Sequence, residues 1–198
     1  MNTTYRDGYK KIAILDLAEK GTLAFSYLLR AFGFALFTGI FIMLTRLIHP
    51  HLPTTVESYL NIALPNVPGI VSILLAAASV VAVLAFHELV HATAFYLDQR
   101  IPPKIGGRGL LIFASAPGYL VSRTSMMLNA LAPFVVISAL GFLMITLLPE
   151  SLLSWIFIPT IANAAAAGGD FIAVAWLLKQ PKDTRIEDTG DVLTAYQR

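Results

Sequence analysis

Four stretches of the chain stay apolar for too long to be one face of a soluble helix: Leu23 to Ile48, Pro68 to Leu97, Met126 to Leu148 and Leu152 to Leu178. About 20 helical residues cross the roughly 30 Å hydrocarbon core of a bilayer, so each stretch predicts a membrane span. The segment between the second and third, Asp98 to Ser125, is broken by Pro102-Pro103, Gly106-Gly107 and Pro117-Gly118. Leu110 to Ser115 and Tyr119 to Arg123 flank the last of these breakers and predict a short β-hairpin at the membrane interface. Residues 1–22 form an N-terminal segment in which Tyr5 to Lys20 mixes charges with Ile12, Leu15 and Leu17, the pattern of a short surface helix. Residues 179–198 form a polar tail whose clustered charges beyond Pro181 predict disorder. The expected fold is an all-α polytopic membrane protein: one four-span domain over residues 23–178, with a small β-hairpin between the second and third helices.

Composition sharpens this picture. The chain is 57% hydrophobic and only 13% charged, with a mean hydropathy of +0.72, against about a quarter charged residues in ordinary soluble domains. The first apolar stretch is too long, and starts too far into the chain, for a cleaved signal peptide. Cysteine is absent, which removes disulfides and thiolate metal ligands from consideration.

Charge gives an orientation. Twelve of the 14 basic residues lie before the first span, between the second and third, or after the fourth. Arg30 and Arg46 lie within the first span, and the connections around Pro50 to Val67 and Pro149 to Ser151 hold no Lys or Arg. The positive-inside rule then expects a multi-pass cell-membrane protein with both termini cytoplasmic. A net charge of +2 is this asymmetry and points to no nucleic-acid partner.

The second span carries His87-Glu88-Leu89-Val90-His91. Four residues make about one helical turn, so both histidines share a face and can hold a zinc ion. Glu88, next along the turn, can take a proton from water activated there. Ionisable side chains are costly at membrane depth, and those that remain there usually have a function. His91 lies nine residues before Arg100, and Asp170 nine before Lys179. At 1.5 Å per residue both sit on the order of 13 Å inside their helix ends. Glu88 and Asp170 are the only carboxylates within the expected spans, so depth selects Asp170 as the third metal ligand, beside His87 and His91. In the last span, Ala164 to Gly169 is built of small residues that let helices approach closely, and Gly168-Gly169 and Pro159 mark points where it can bend or open. Asn163 lies two turns before Asp170; its amide fits either a substrate contact or a packing hydrogen bond. Asn129 to Pro133 shapes the start of the third span, and His49 and His51 read as interfacial residues on the outer side.

Together, His87, Glu88, His91, Asn163 and Asp170, with Asn129-Ala-Leu-Ala-Pro133, resemble the site-2-protease-type intramembrane zinc metalloproteases and, more narrowly, the small prokaryotic membrane proteins grouped as putative zincin peptidases. The resemblance spans about residues 70 to 178. It departs from the site-2-protease pattern in placing the glycines before Asp170 rather than after it, and in having no proline soon after Asn163. It implies proteolysis within or beside the membrane, with a membrane-protein or peptide substrate in the bilayer. The spacing alone implies only a metal site, and leaves two other classes open: a divalent-metal carrier or sensor, indifferent to Glu88, and a catalytically silent adaptor that works without metal. Neither substrate identity nor oligomeric state is written in these residues.

Overall fold

The computed structural model describes residues 8–52, 54–108 and 111–198; Tyr5, Arg6 and Leu110 fall outside them. The elements run β1 (Lys10–Asp16), α1 (Lys20–Ile48), α2 (Val56–Leu60), α3 (Gly69–Gln99), β2 (Lys104–Arg108), β3 (Leu111–Ser115), β4 (Val121–Ser122) and α4 (Arg123–Leu147). A short 3-10 turn at Glu150–Leu152 then leads into α5 (Leu153–Ala166), α6 (Gly168–Leu178), β5 (Arg185–Asp188) and β6 (Val192–Gln197). Among the described residues, four helical stretches are long and apolar enough to cross a membrane: Lys20–Ile48, Gly69–Asp98, Arg123–Leu147 and Glu150–Leu178. The fourth is interrupted where the glycines predict. Ala167 leaves the helix with φ −63 and ψ 3, its N–H donated to the Asn163 carbonyl at 3.1 Å, and α6 begins at Gly168. Pro133 and Pro159 remain inside α4 and α5.

Three expectations fail outside the spans, and in each a strand finds a partner distant in sequence: β1 with β6, or β4 with β5. From Gly8 on, where it is described, the Tyr5 to Lys20 segment is not a surface helix. Its described part holds β1, in which Ala13 and Leu15 pack on the core while Ile12 and Ile14 face outward, an alternation of period two. The C-terminal tail is ordered rather than disordered. β5 and β6 pair antiparallel, and β6 pairs with β1, giving a four-stranded sheet in the order β1-β6-β5-β4. Ile186, Leu193 and Ala195 are buried there among tail charges that mask them in composition. The hairpin is real but shifted. β3 pairs with β2, Ile105 opposite Ala114 and Gly106 opposite Phe113, while Val121–Ser122 leaves to pair with β5. Gly106 is therefore a strand residue, not a breaker. The Phe113 ring lies across it so closely that a Cβ at residue 106 would come within 2.5 Å of the ring, an aromatic covering a strand glycine.

The chain divides into two compact units: one of Met1–Leu28, Glu88–Pro133 and Gly168–Arg198, the other of Leu29–His87 and Phe134–Ala167. In the first, the sheet and helix ends share a core of Phe95, Val121, Met126, Leu177, Ile186 and Leu193. In the second, Phe41, Tyr59, Ile145, Ile156, Phe157 and Ile161 form the core. There the Tyr59 and Phe157 rings lie 5.1 Å apart, within the range of favourable aromatic pairs. Close helix approach in this unit rests on Gly141, where a Cβ would meet Thr160 Oγ1 at 2.3 Å.

Candidate metal centre

The site is built from α3 outward. α3 is unbroken from Gly69 to Gln99, so His87 and His91 sit one turn apart on one face. Both are buried, at 6% and 8% exposure, and each is held through Nδ1. His87 Nδ1 donates to the Asn163 side-chain oxygen at 2.9 Å. His91 Nδ1 donates to the Asn129 carbonyl oxygen at 3.0 Å, with Asn129 Oδ1 at 3.2 Å. The Asn129 amide completes a two-way tie by donating to the His91 carbonyl at 2.9 Å. A proton fixed on Nδ1 puts the lone pair on Nε2, the tautomer a metal-binding imidazole needs.

Pro133 explains why the Asn129 carbonyl is available. In a regular helix that oxygen accepts the N–H of residue 133, and proline has none. Asn163, fully buried, occupies the last turn of α5 before the break at Ala167.

Asp170 opens α6. Its Oδ1 lies 3.5 Å from His91 Nε2, on the ring edge opposite the Asn129 bond. The ligand atoms of His87, His91 and Asp170 all lie within 4.8 Å of one another. Two buried imidazoles in the right tautomer and one carboxylate are a zinc donor set that leaves a position for water, so these residues fit the ion. Beside them, Glu88 Oε2 accepts the Ala114 N–H of β3 at 2.9 Å. Because that N–H is given to Glu88, this edge of β3 faces away from β2. The next outward amide, at Ala116, is donated to the Asp188 carbonyl at 3.2 Å.

Of the residues the sequence singled out, His87, His91 and Asp170 form one candidate ligand group, Glu88 binds the Ala114 N–H, and Asn163 partners His87. Sequence reasoning assigned Asn129 only a shaping role; the proline four residues on was the signal that its carbonyl would be unclaimed. It also set aside the tail carboxylates. Glu187 is buried and accepts the Gly118 N–H at 3.0 Å and the Tyr196 hydroxyl at 3.1 Å. Asp188, likewise buried, has its carboxyl pushed up to about 7, chiefly by burial and against the Gly190 N–H that pulls it down. An open cleft of about 370 Å³ lies nearby, lined by Phe95, Asp98, Val121, Ser125, Leu128 and Asn129.

Four helices long and apolar enough to cross a membrane are consistent with a multi-pass membrane protein, and two buried histidines with the half-buried Asp170 make a candidate metal site. The chain belongs to the putative zincin peptidase family, whose model matches residues 80–185, just over half of its length. Searches of curated proteins and of solved structures gave no match.

Proposed function

We propose that the protein is a zinc-dependent endopeptidase, of site-2-protease-like intramembrane type, that cuts membrane or membrane-proximal polypeptides near the cytoplasmic face. The observation that carries this reading is the tautomer lock: two histidines one turn apart, each bonded through Nδ1 to an asparagine oxygen from another helix, with Asp170 on the Nε2 side of His91. His87, His91 and Asp170 would hold zinc, which when bound supplies a Lewis acid and lowers the pKa of water it holds toward about 7. Glu88 accepts a proton from the attacking water and returns it to the leaving amine nitrogen. Asn163 serves as the positioning partner of His87 rather than as a substrate contact, since its side-chain oxygen is engaged there.

Substrate presentation rests on β3. The Ala114 N–H on Glu88 marks a strand edge turned toward the catalytic carboxylate, where an extended peptide adding as a strand would take over that N–H and free Glu88. Extension also matters chemically, because a scissile bond in a helix is shielded by its own hydrogen bonds.

Metal analysis and cleavage of the purified variants test the assignment. Asp170→Ala and His87→Ala lose both zinc and activity. Glu88→Gln keeps about stoichiometric zinc and loses activity by about 10²–10⁴-fold, since an amide cannot accept the proton. The substrate is sought as a membrane protein that accumulates uncleaved in cells carrying Glu88→Gln. An active Glu88→Gln enzyme would sink the hydrolytic reading, and a zinc-loaded Asp170→Ala the ligand assignment.

A further inference from the structure

The two connections that carry no Lys or Arg meet at a second group of ligating side chains. His49 and His51 follow α1, and Glu150 opens the turn before α5. Their ligand atoms lie within 4.8 Å of one another. We propose that His49, His51 and Glu150 form a second divalent-metal site, for an ion of the zinc or copper type, that ties the end of α1 to the start of α5.

The argument begins with the tautomer of His49. Its Nε2 lies 3.1 Å from the Ile145 carbonyl oxygen, which can only accept, so Nε2 carries the proton. In the neutral ring Nδ1 then bears a lone pair, and it faces Glu150 Oε1 at 3.6 Å. Two acceptors turned toward each other are reconciled by a second ring proton or by a metal ion between them, and the second imidazole on the same oxygen favours the metal. With metal–nitrogen and metal–oxygen bonds of about 2.0–2.1 Å at a tetrahedral angle, a bridged pair stands about 3.3 Å apart; the observed separation is close to that. His51 Nε2 reaches the same Oε1 at 2.6 Å. His51 and Glu150 are both exposed, at 64% and 43%, so their side chains are free to open that contact to the bridged distance.

The backbone is built to hold the pair. His49-Pro50-His51-Leu52 is a turn closed by the Leu52 N–H on the His49 carbonyl at 3.1 Å, and Arg46 Nε donates to the Leu52 carbonyl at 3.2 Å. Pro50 fixes its own φ at the second turn position, which limits how far the two imidazoles can part; their centroids lie 6.0 Å apart. Two imidazoles and one carboxylate suit zinc and copper, and exclude the all-oxygen preference of calcium and magnesium. Glu88, His91 and Asp170 take no part, so the proposal stands apart from the peptidase reading.

The test is metal stoichiometry of the purified full chain, stripped by chelator and re-equilibrated with sub-millimolar zinc. Wild type should bind two ions per chain, and His51→Ala and Glu150→Gln one each, with cleavage unchanged at limiting zinc. Asp170→Ala combined with Glu150→Gln should bind none. As a second readout, copper(II) added to Asp170→Ala should give an electron paramagnetic resonance spectrum split by ring nitrogen, lost in Asp170→Ala/His51→Gln. Wild-type stoichiometry in both His51→Ala and Glu150→Gln, or one ion in wild type that Asp170→Ala alone removes, would overturn the proposal and leave the group an imidazole–carboxylate contact.

Discussion

Each histidine of the proposed zinc site is held by an asparagine outside the donor set. Carbonyl or carboxylate partners on the distal nitrogen of a ligating imidazole are typically worth about 10–100-fold in metal affinity. Asn129→Ala and Asn163→Ala should therefore each weaken zinc by about that factor, with activity recovered at saturating zinc. Pro133→Ala is the sharper variant, because it returns an N–H that competes with His91 for the Asn129 carbonyl. Removing a proline from inside a helix should raise the thermal stability of the metal-free protein, while zinc affinity falls a few-fold. Calorimetry of zinc binding alongside thermal unfolding checks both signs; unchanged affinity in Pro133→Ala would mean the proline does not serve His91. The proposed ligands were singled out in the sequence, His87 and His91 from one-turn spacing and Asp170 from its depth, and the structure places their ligand atoms within 4.8 Å of one another. The two asparagines were not fully legible there, because their bonds run between helices and single-helix spacing says nothing about partners.

Elements divide the same way. A span announces itself locally, since the bilayer demands about 20 apolar residues in a row, and the four helices lie within a few residues of their expected ends. The strands could not be read so directly. β1 finds its partner β6 at the far end of the chain, and a two-residue strand such as Val121–Ser122 has no periodicity to detect. Phe113 shows how these pieces lock. Its ring sits on Gly106 in β2 and also on Gly190 in the β5–β6 turn, where a Cβ would come within 2.6 Å, so the tail buttresses the strand that meets Glu88. Gly106→Ala and Gly190→Ala should each cost about 1–3 kcal/mol of stability by overpacking. Adding Phe113→Leu should rescue Gly106→Ala largely but Gly190→Ala only in part, because Gly190 also holds φ +100, a conformation strained for any side chain. Thermal unfolding of the double-mutant cycles measures the difference; equal rescue would show that sterics alone govern both.

At the scale of the whole molecule, the sheet bears on topology without reference to charge. It takes β1 from the N-terminal segment, β4 from the connection between the second and third spans, and β5 and β6 from the tail. Hydrogen-bonded strands lie on one side of a bilayer, so these three segments share a face, which requires an even number of crossings between them. They are also the segments that hold 12 of the 14 basic residues, and the positive-inside rule would make that face cytoplasmic. The two connections without Lys or Arg meet each other separately, through His51 and Glu150. A chain without cysteine allows a direct check with single substitutions at exposed positions: Lys10→Cys, Lys182→Cys and Thr55→Cys. A membrane-impermeant maleimide added to intact cells should label residue 55 only, and residues 10 and 182 should react after permeabilisation. Labelling of 10 and 182 together from outside, with 55 protected, would keep the four-span architecture and reverse its orientation, moving the proposed cleavage to the other face. Labelling of 10 and 182 from opposite sides is the outcome the fold cannot survive, because the β1–β6 pairing would then have to cross the membrane.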